Sequence, residues 1–279
     1  MHTAAANDRE FELTDRDFAR IVKLVKTDAG IQLTDRKREL VYGRLARRLR
    51  ALGLRDFGRY CDMVEEDGDV TERRAMINAI TTNLTSFFRE KHHFDFLGAT
   101  VLPELAAAKG SRRLRIWSAG CSTGEEAYSI AMTMRKSMPD LAGWDARILA
   151  TDIDTDVIAT GTAGRYPATR VELIPSDLRR QFVHGAGDET VEMADTIKSL
   201  IAFRQLNLFD QWPMKGPFDV IFCRNVVIYF DKETQRKLFC RFAEILKPDG
   251  WVFIGHSESM FNVCDRFRHI GRTIYRRVS

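Results

Sequence analysis

The stretch Leu114–Ser129, reading LRIWSAGCSTGEEAYS, constrains the fold more than any other part of the sequence. A short run, Leu114-Arg115-Ile116-Trp117, leads into the small residues Ser118-Ala119-Gly120-Cys121-Ser122-Thr123-Gly124. Glu125 and Glu126 follow, and then apolar residues at helical spacing, Ala127, Ile130, Ala131 and Met134. This pattern predicts a strand, a tight Gly-containing turn and a helix start. A doubly wound α/β sheet uses that unit to aim backbone amides and a helix N-terminus at a bound cofactor. Such turns also serve only to join a strand to a helix, so the turn alone does not define a function.

A second element strengthens the functional reading. Arg147-Ile148-Leu149-Ala150 leads into Thr151-Asp152-Ile153-Asp154, an apolar strand ending in acids one βα unit later. In nucleotide-binding sheets a carboxylate at that place accepts hydrogen bonds from ribose hydroxyls. Asp152, at the strand end, fits that role; Asp154 fits an N-cap of the following helix. The turn is not the G-x-G-x-x-G of a dehydrogenase, because Ser122 stands where a second glycine would fall, and no P-loop lysine follows Gly124. Two acids beside the turn repel a pyrophosphate and suit a cofactor with a cationic end. S-adenosylmethionine, with its sulfonium and α-ammonium, meets that description.

Three segments together make a specific resemblance. They are Thr81-Thr82-Asn83-Leu84-Thr85-Ser86-Phe87-Phe88-Arg89-Glu90, the turn segment Trp117–Tyr128, and Phe222-Cys223-Arg224-Asn225-Val226-Val227-Ile228-Tyr229-Phe230-Asp231. In this order and spacing the chain resembles the chemotaxis receptor methyltransferases, the CheR family, from about Phe11 to the C-terminus. The resemblance implies a small N-terminal all-helical domain followed by a doubly wound class I S-adenosylmethionine-dependent methyltransferase domain with a small β insertion. It implies methyl transfer from S-adenosylmethionine to glutamate side chains of chemoreceptors, giving methyl esters in chemotaxis adaptation.

The resemblance also implies roles for residues. Arg89 and Tyr229 match positions near the transferred methyl, the expected catalytic pair. Asn83, Thr85 and Arg89 match positions around the methionine part of the cofactor, with Ala119 and Glu125 beside it and Glu125 facing the ammonium. Asp152 matches the ribose position. Asn207-Leu208 and Arg224-Asn225 match the residues flanking adenine. Read without the resemblance, Tyr229 belongs to an apolar core run and Arg89 to a surface ion pair. Asn207, Leu208, Arg224 and Asn225 are then only loop residues after strands, and Glu125 a favourable charge on a helix's first turn.

Length and composition fit this class. The chain has 279 residues, 29% of them charged and 44% hydrophobic, an ordinary soluble balance. No apolar run has the length of a bilayer span, and MHTAAANDREFEL lacks a signal core, so a cytoplasmic protein is expected. Cys61, Cys121, Cys223, Cys240 and Cys264 are scattered and read as buried small residues in a reducing compartment. The pair His92-His93 lacks metal-ligand spacing, and no metal is expected.

The expected domains are 1–83, helical and receptor-facing, and 84–279, catalytic, with a β-subdomain inserted at about 165–206. In the first, Thr14 opens a helix that Gly30 ends, and a basic helix follows with Thr34 as N-cap and Gly53 as break. A third helix starts near Phe57 and stops near Asp67-Gly68-Asp69; a fourth spans Thr71–Asn83. In the second, His93–Ala108 is a helix with a kink at Pro103 and a stop at Gly110. Phe218–Cys223 is a strand. A helix runs from Lys232 to Leu246 and ends at Lys247-Pro248-Asp249-Gly250. Trp251–Ile254 is a strand, and Arg268–Arg276 supplies one edge strand. In the insertion, the turn Gly185-Ala186-Gly187-Asp188 suggests an antiparallel ribbon. In some members of the resembled family that region docks a receptor-tail peptide.

The net charge of +4 is unevenly spread. Arg36, Lys37, Arg38, Arg44, Arg47, Arg48, Arg50, Arg55 and Arg59 are opposed only by Asp35, Glu39 and Asp56, along a helix whose other side carries Leu40, Val41, Leu45, Leu49 and Leu52. The segment Arg36–Arg59 is the expected contact for chemoreceptor cytoplasmic helices. A solvated face is the plain alternative. Two rival functions remain: a nucleic-acid methyltransferase using this helix, and a non-catalytic S-adenosylmethionine sensor. Few aromatics interleave the arginines, and no Asn-Pro-Pro-Tyr type motif is present, so nucleic acid is not the expected partner.

Overall fold

The computed structural model describes residues 9–66, 70–108, 112–187 and 189–278. It divides into two units, Met1–Thr82 and Asn83–Ser279. The expected stops at Asp67-Gly68-Asp69 and Gly110, and Asp188 of the expected turn, lie outside the described residues. No helix among the described residues is long and apolar enough to cross a membrane.

The first unit is built from α1 (Asp15–Ala29), α2 (Arg38–Leu52), α3 (Phe57–Glu65) and α4 (Val70–Ile80). Thr14 and Asp17 form a reciprocal capping box at the start of α1, and Gly30 ends it in the left-handed region at φ 66°. Apolar residues at helical spacing meet inside: Ile21 and Val25, Val41, Leu45 and Leu49, Phe57, Tyr60 and Cys61, Met76 and Ile80. Thr34 makes no side-chain cap. A 3-10 turn at Asp35–Lys37 intervenes, so α2 begins only at Arg38. The fourth helix stops at Ile80, short of Asn83.

The second unit opens with α5 (His92–Phe96) and α6 (Leu102–Ala107), separated by a π-turn at Leu97–Val101. Pro103 explains the break. It has no N–H to give to the preceding turn, and the chain widens just before it, with Leu102 N–H donating to Leu97. Then come β1 (Arg113–Ala119), α7 (Glu125–Ser137), β2 (Asp145–Asp152) and α8 (Thr155–Ala163). The insertion holds β3 (Arg165–Pro167), α9 (Ser176–Phe182), β4 (Val183–Gly185), β5 (Thr190–Met193) and α10 (Asp195–Lys198). The chain closes with β6 (Ile201–Gln205), β7 (Phe218–Cys223), α11 (Lys232–Ile245), β8 (Leu246–Ile254), β9 (Phe267–Gly271) and β10 (Ile274–Arg277).

Seven strands form one sheet in the order β6-β2-β1-β7-β8-β10-β9; the small second sheet, β3-β5-β4, is antiparallel. From β6 to β8 all pairings are parallel, and β10 runs antiparallel to both neighbours. Strand β1 is covered on both faces. Trp117 packs edge-on to Phe242 of α11 at 5.3 Å between ring centroids, while its neighbour Ile116 joins the core containing Ala127 and Ile130 of α7. Burial on both faces is why β7, Phe218–Cys223, is an unbroken apolar run apart from Asp219. Two expectations are corrected here. Strand β8 starts at Leu246, with Pro248 at its irregular end, rather than at Trp251. The C-terminal segment is two strands, joined by Arg272 and Thr273 at φ 47° and 60°, with β10 inside the sheet and β9 at its edge.

The strand order reverses between β1 and β7. In a doubly wound sheet the crevice beyond the carboxyl ends at such a switch point is where ligands bind.

Candidate functional site

The turn after β1 is shaped by its glycines. Gly120 sits at φ 81°, and a Cβ there would lie 2.3 Å from Val226 Cγ2. Gly124 sits at φ 96°, where a Cβ would meet the Gly161 backbone at 2.9 Å. Between them the N–H groups of Gly120 and Cys121 both donate to Thr151 C=O, at 2.8 and 2.9 Å, carrying the β1–β2 ladder past its end.

Asp152 closes this turn. Its Oδ2 accepts from Ser122 N–H at 2.8 Å and its Oδ1 from Asp154 N–H at 3.1 Å. Burial pushes its carboxyl pKa up, and those backbone N–H groups pull the other way. Its own carbonyl accepts from Leu206 N–H at 2.9 Å, which brings Asn207-Leu208 alongside. Asp154 caps α8 through Asp156 N–H and takes a 2.7 Å hydrogen bond from Asn83 Nδ2. The Asn83 carbonyl accepts from Ser122 Oγ at 2.9 Å. One hydrogen-bonded group therefore joins Asn83, Ser122, Asp152 and Asp154. Asn207 folds on itself, with Oδ1 on Phe209 N–H, and the Leu208 carbonyl accepts from Arg241 at 2.6 Å.

Glu125 and Glu126 open α7, and both are buried. Glu125 pairs with Arg170 of the insertion through Oε1 and with Thr123 Oγ1 at 2.6 Å through Oε2. Glu126 accepts from Ser118 Oγ at 2.7 Å and from Arg224 at 3.2 Å. Burial pushes its carboxyl pKa up; Arg224 and Ser118 oppose that.

Arg224 joins all three recognised segments. Its side chain is 2% exposed and pairs with Glu126 and with Glu90 at 3.4 Å. It also donates to the Arg89 carbonyl. The guanidinium is thus enclosed by protein groups. Glu90 accepts from His256 Nδ1 at 2.9 Å. Burial pushes the Glu90 carboxyl up, but His256 and Arg224 outweigh it and hold the pKa at about 2. His93, fully buried beside them, is pushed down to about 4 by desolvation and then by Arg224. Phe88 and Glu90 carry positive φ of 53° and 56°. Such backbone costs roughly 1–3 kcal/mol per residue and persists only where neighbours enforce it. Here Ser129 Oγ accepts from Phe88 N–H at 2.9 Å, and the Arg224 network holds Glu90.

Arg89 and Tyr229 lie at the two ends of this construction. The Arg89 guanidinium donates to Leu84 C=O at 2.8 Å, closing its own loop. Tyr229 is half-buried in a 3-10 turn, Val227–Tyr229. That turn is fixed by Glu258, which accepts from the N–H groups of Asn225 at 3.0 Å, Ile228 at 3.2 Å and Gly255 at 2.5 Å. Thr85 offers its carbonyl 3.5 Å from Arg170. Ala119 is buried at the last position of β1.

Sequence reasoning missed Glu90, Arg170 and Glu258. Glu90 was in view at the end of a recognised segment, whereas Arg170 and Glu258 stand in no motif. Cys121 and Cys223 are buried and their thiol pKa values pushed well up by desolvation, which keeps them protonated. Glu90, His92 and His93 bring donor atoms within 4.8 Å of one another. The Arg224 cation faces that carboxylate at 3.4 Å, and His93 Nε2 lies 2.9 Å from Arg272 C=O.

Both units have counterparts among known proteins. Residues 16–81 match the CheR methyltransferase all-alpha domain and residues 83–276 the CheR methyltransferase SAM binding domain. A probable chemotaxis protein methyltransferase of Rhizobium etli is 46% identical over 91% of this chain and 96% of that protein. The chemotaxis protein methyltransferases of Salmonella typhimurium and Escherichia coli K12 are 45% and 44% identical, each over 94% of this chain and 90% and 91% of theirs.

Proposed function

This chain belongs to the CheR methyltransferase family, and from that premise we propose that it methylates glutamate side chains on chemoreceptor cytoplasmic helices, using S-adenosylmethionine. The observation that supports this most is the presence of two buried carboxylates, Glu125 just after β1 and Asp152 at the end of β2, beside the switch point of the sheet. A pair of buried acids with no phosphate-binding lysine between them suits a ligand with ribose hydroxyls and a cationic amino-acid end. Bound there, S-adenosylmethionine supplies an electrophilic methyl group on a sulfonium.

Asp152 accepts the ribose hydroxyls and Glu125 the α-ammonium. Asn83, Thr85, Arg89 and Ala119 would hold the methionine part. Asn207, Leu208 and Asn225 flank the adenine. Arg224, enclosed as it is, acts there by holding the loop before Asn225. The substrate glutamate has a reference pKa of about 4.3, so it arrives ionised and no base is required. Its carboxylate oxygen would be the nucleophile toward the methyl group that the bound cofactor would supply. What remains for the protein is alignment and exclusion of water. Arg89 and Tyr229 orient the carboxylate, one by a planar cation and one by a hydroxyl.

Several arginines of the basic segment are engaged within the protein. Arg44 donates to the carbonyls of Ile80 at 2.6 Å and Thr81 at 2.5 Å, closing the end of α4, and Arg48 pairs with the buried Glu72. Arg38 and Arg50 pair with Asp15 and Glu10. Arg36, Lys37, Arg47 and Arg55 stay exposed and carry the proposed receptor contact. This inward use of arginines also weakens the nucleic-acid reading, and the sensor reading gains nothing.

The test is incubation with labelled S-adenosylmethionine and chemoreceptor cytoplasmic fragments. Base-labile label on receptor glutamates is expected. Label on RNA instead, or none on either, would overturn the proposal.

A further inference from the structure

Arg170 stands in the insertion, in a 3-10 turn (Ala168–Val171) directly after β3. From there its guanidinium reaches Glu125 and approaches the Thr85 carbonyl to 3.5 Å. The two partners are unequal. The Glu125 side chain is fully buried, whereas that of Arg170 is 41% exposed. A buried carboxylate left without a countercharge is costly. The α7 N-terminus and the Thr123 hydroxyl offset part of that cost. The ion pair that Glu125 makes among the described residues is with Arg170.

Resting on the reading of Glu125 as the ammonium partner, we propose that Arg170 is a resident cation in the ammonium subsite, displaced from Glu125 when the cofactor binds. The exchange ties cofactor binding to the position of the insertion. Two cations on one buried carboxylate repel each other strongly at such short range. Of the two, Arg170 is the one that can leave, because its outer half is already in water and release costs little. The rest of the insertion stays anchored. Tyr166 of β3 is buried, donates to Thr123 C=O at 2.7 Å and packs edge-on to Phe87 at 5.1 Å. Movement is therefore confined to the turn beyond Pro167. While it is in place, Arg170 supplies the countercharge on the buried Glu125 carboxylate.

Calorimetry on the full chain with two ligands tests this. S-adenosylhomocysteine carries the α-ammonium; 5′-methylthioadenosine lacks the amino-acid part. In Arg170→Ala the first should bind about tenfold tighter, equivalent to ~1.4 kcal/mol, and the second as in wild type. Arg170→Gln, which keeps a hydrogen-bonding amide without the charge, should shift in the same direction. In the wild type, S-adenosylhomocysteine should speed amide exchange at 169–171, and methylthioadenosine should not. Weaker homocysteine-ligand binding in both variants, or an equal shift for both ligands, would show that Arg170 supports the ligand rather than yielding to it. If the wild type binds neither ligand, the cofactor reading itself fails, a result distinct from failure of the exchange.

Discussion

The two sides of the α7 N-terminus hold adjacent carboxylates in opposite ways. On the insertion side, Glu125 is met by Arg170, a cation with one foot in solvent. On the β7 side, Glu126 is met by Arg224, which is 2% exposed and also holds Glu90 and the Arg89 carbonyl. Both pairs neutralise a buried acid. The first is a surface-anchored pair that can open; the second is a closed network whose members have nowhere else to go. A ligand-exchange role suits the first and a framework role the second.

The largest effect should come from breaking the framework. Arg224→Ala leaves Glu126 and Glu90 without their cation and should destabilise the second unit by about 3–5 kcal/mol. Arg170→Ala should cost less than Arg224→Ala, because the half-exposed Arg170 side leaves room for water and the α7 N-terminus and Thr123 still hold Glu125. Denaturant titrations of the two variants decide the matter; equal losses would erase the distinction.

Acid should find the same weak point. His93 has its pKa pushed down to about 4 in the folded protein, so the unfolded chain binds its proton first, near the ordinary value. Stability from this group is full above about pH 6.5, falls as pH drops, and is lost by about pH 4, a total of roughly 3 kcal/mol. Glu90, held at about 2, adds a further loss below its ordinary value near 4.5. Burial raises the carboxyls of Glu126, Asp152 and Glu258, which act in the opposite sense. The difference between wild type and His93→Gln isolates the histidine. A flat difference between pH 7 and 4.5 would contradict the assignment.

Chemistry should separate from framework. At saturating cofactor, Tyr229→Phe and Arg89→Ala should lower turnover by on the order of 10²-fold with little change in the melting temperature. Wild-type turnover in Arg89→Ala would remove that residue from the proposed pair. The smallest effect belongs to α2. Arg47→Glu with Arg55→Glu should raise the receptor KM about fivefold at low salt, and less at high salt. No salt dependence would leave those charges merely solvated.

Much of the fold was legible because the deciding signals are local. The capping box at Thr14, the left-handed caps at Gly30 and Gly53 and the apolar run of β7 each involve residues a few positions apart. Other features were hidden for the same reason. The β9–β10 hairpin turns on Arg272-Thr273, with no Asn-Gly signal. The α2 arginines look like one basic face until Glu72 and the end of α4 arrive from elsewhere in the chain. In the site, the motifs marked Asn83, Glu125, Asp152 and Tyr229, but not what braces them. Arg170 and Glu258 come from distant segments and differ in no local way from any surface arginine or glutamate.

A crystal structure of the complex with S-adenosylhomocysteine tests the account most directly. The account predicts the ribose on Asp152, the ammonium on Glu125, Arg170 released from that carboxylate, and the Arg224–Glu126 pair unmoved. A ligand held with Arg170 still on Glu125, or with Arg224 drawn out to meet it, would contradict it.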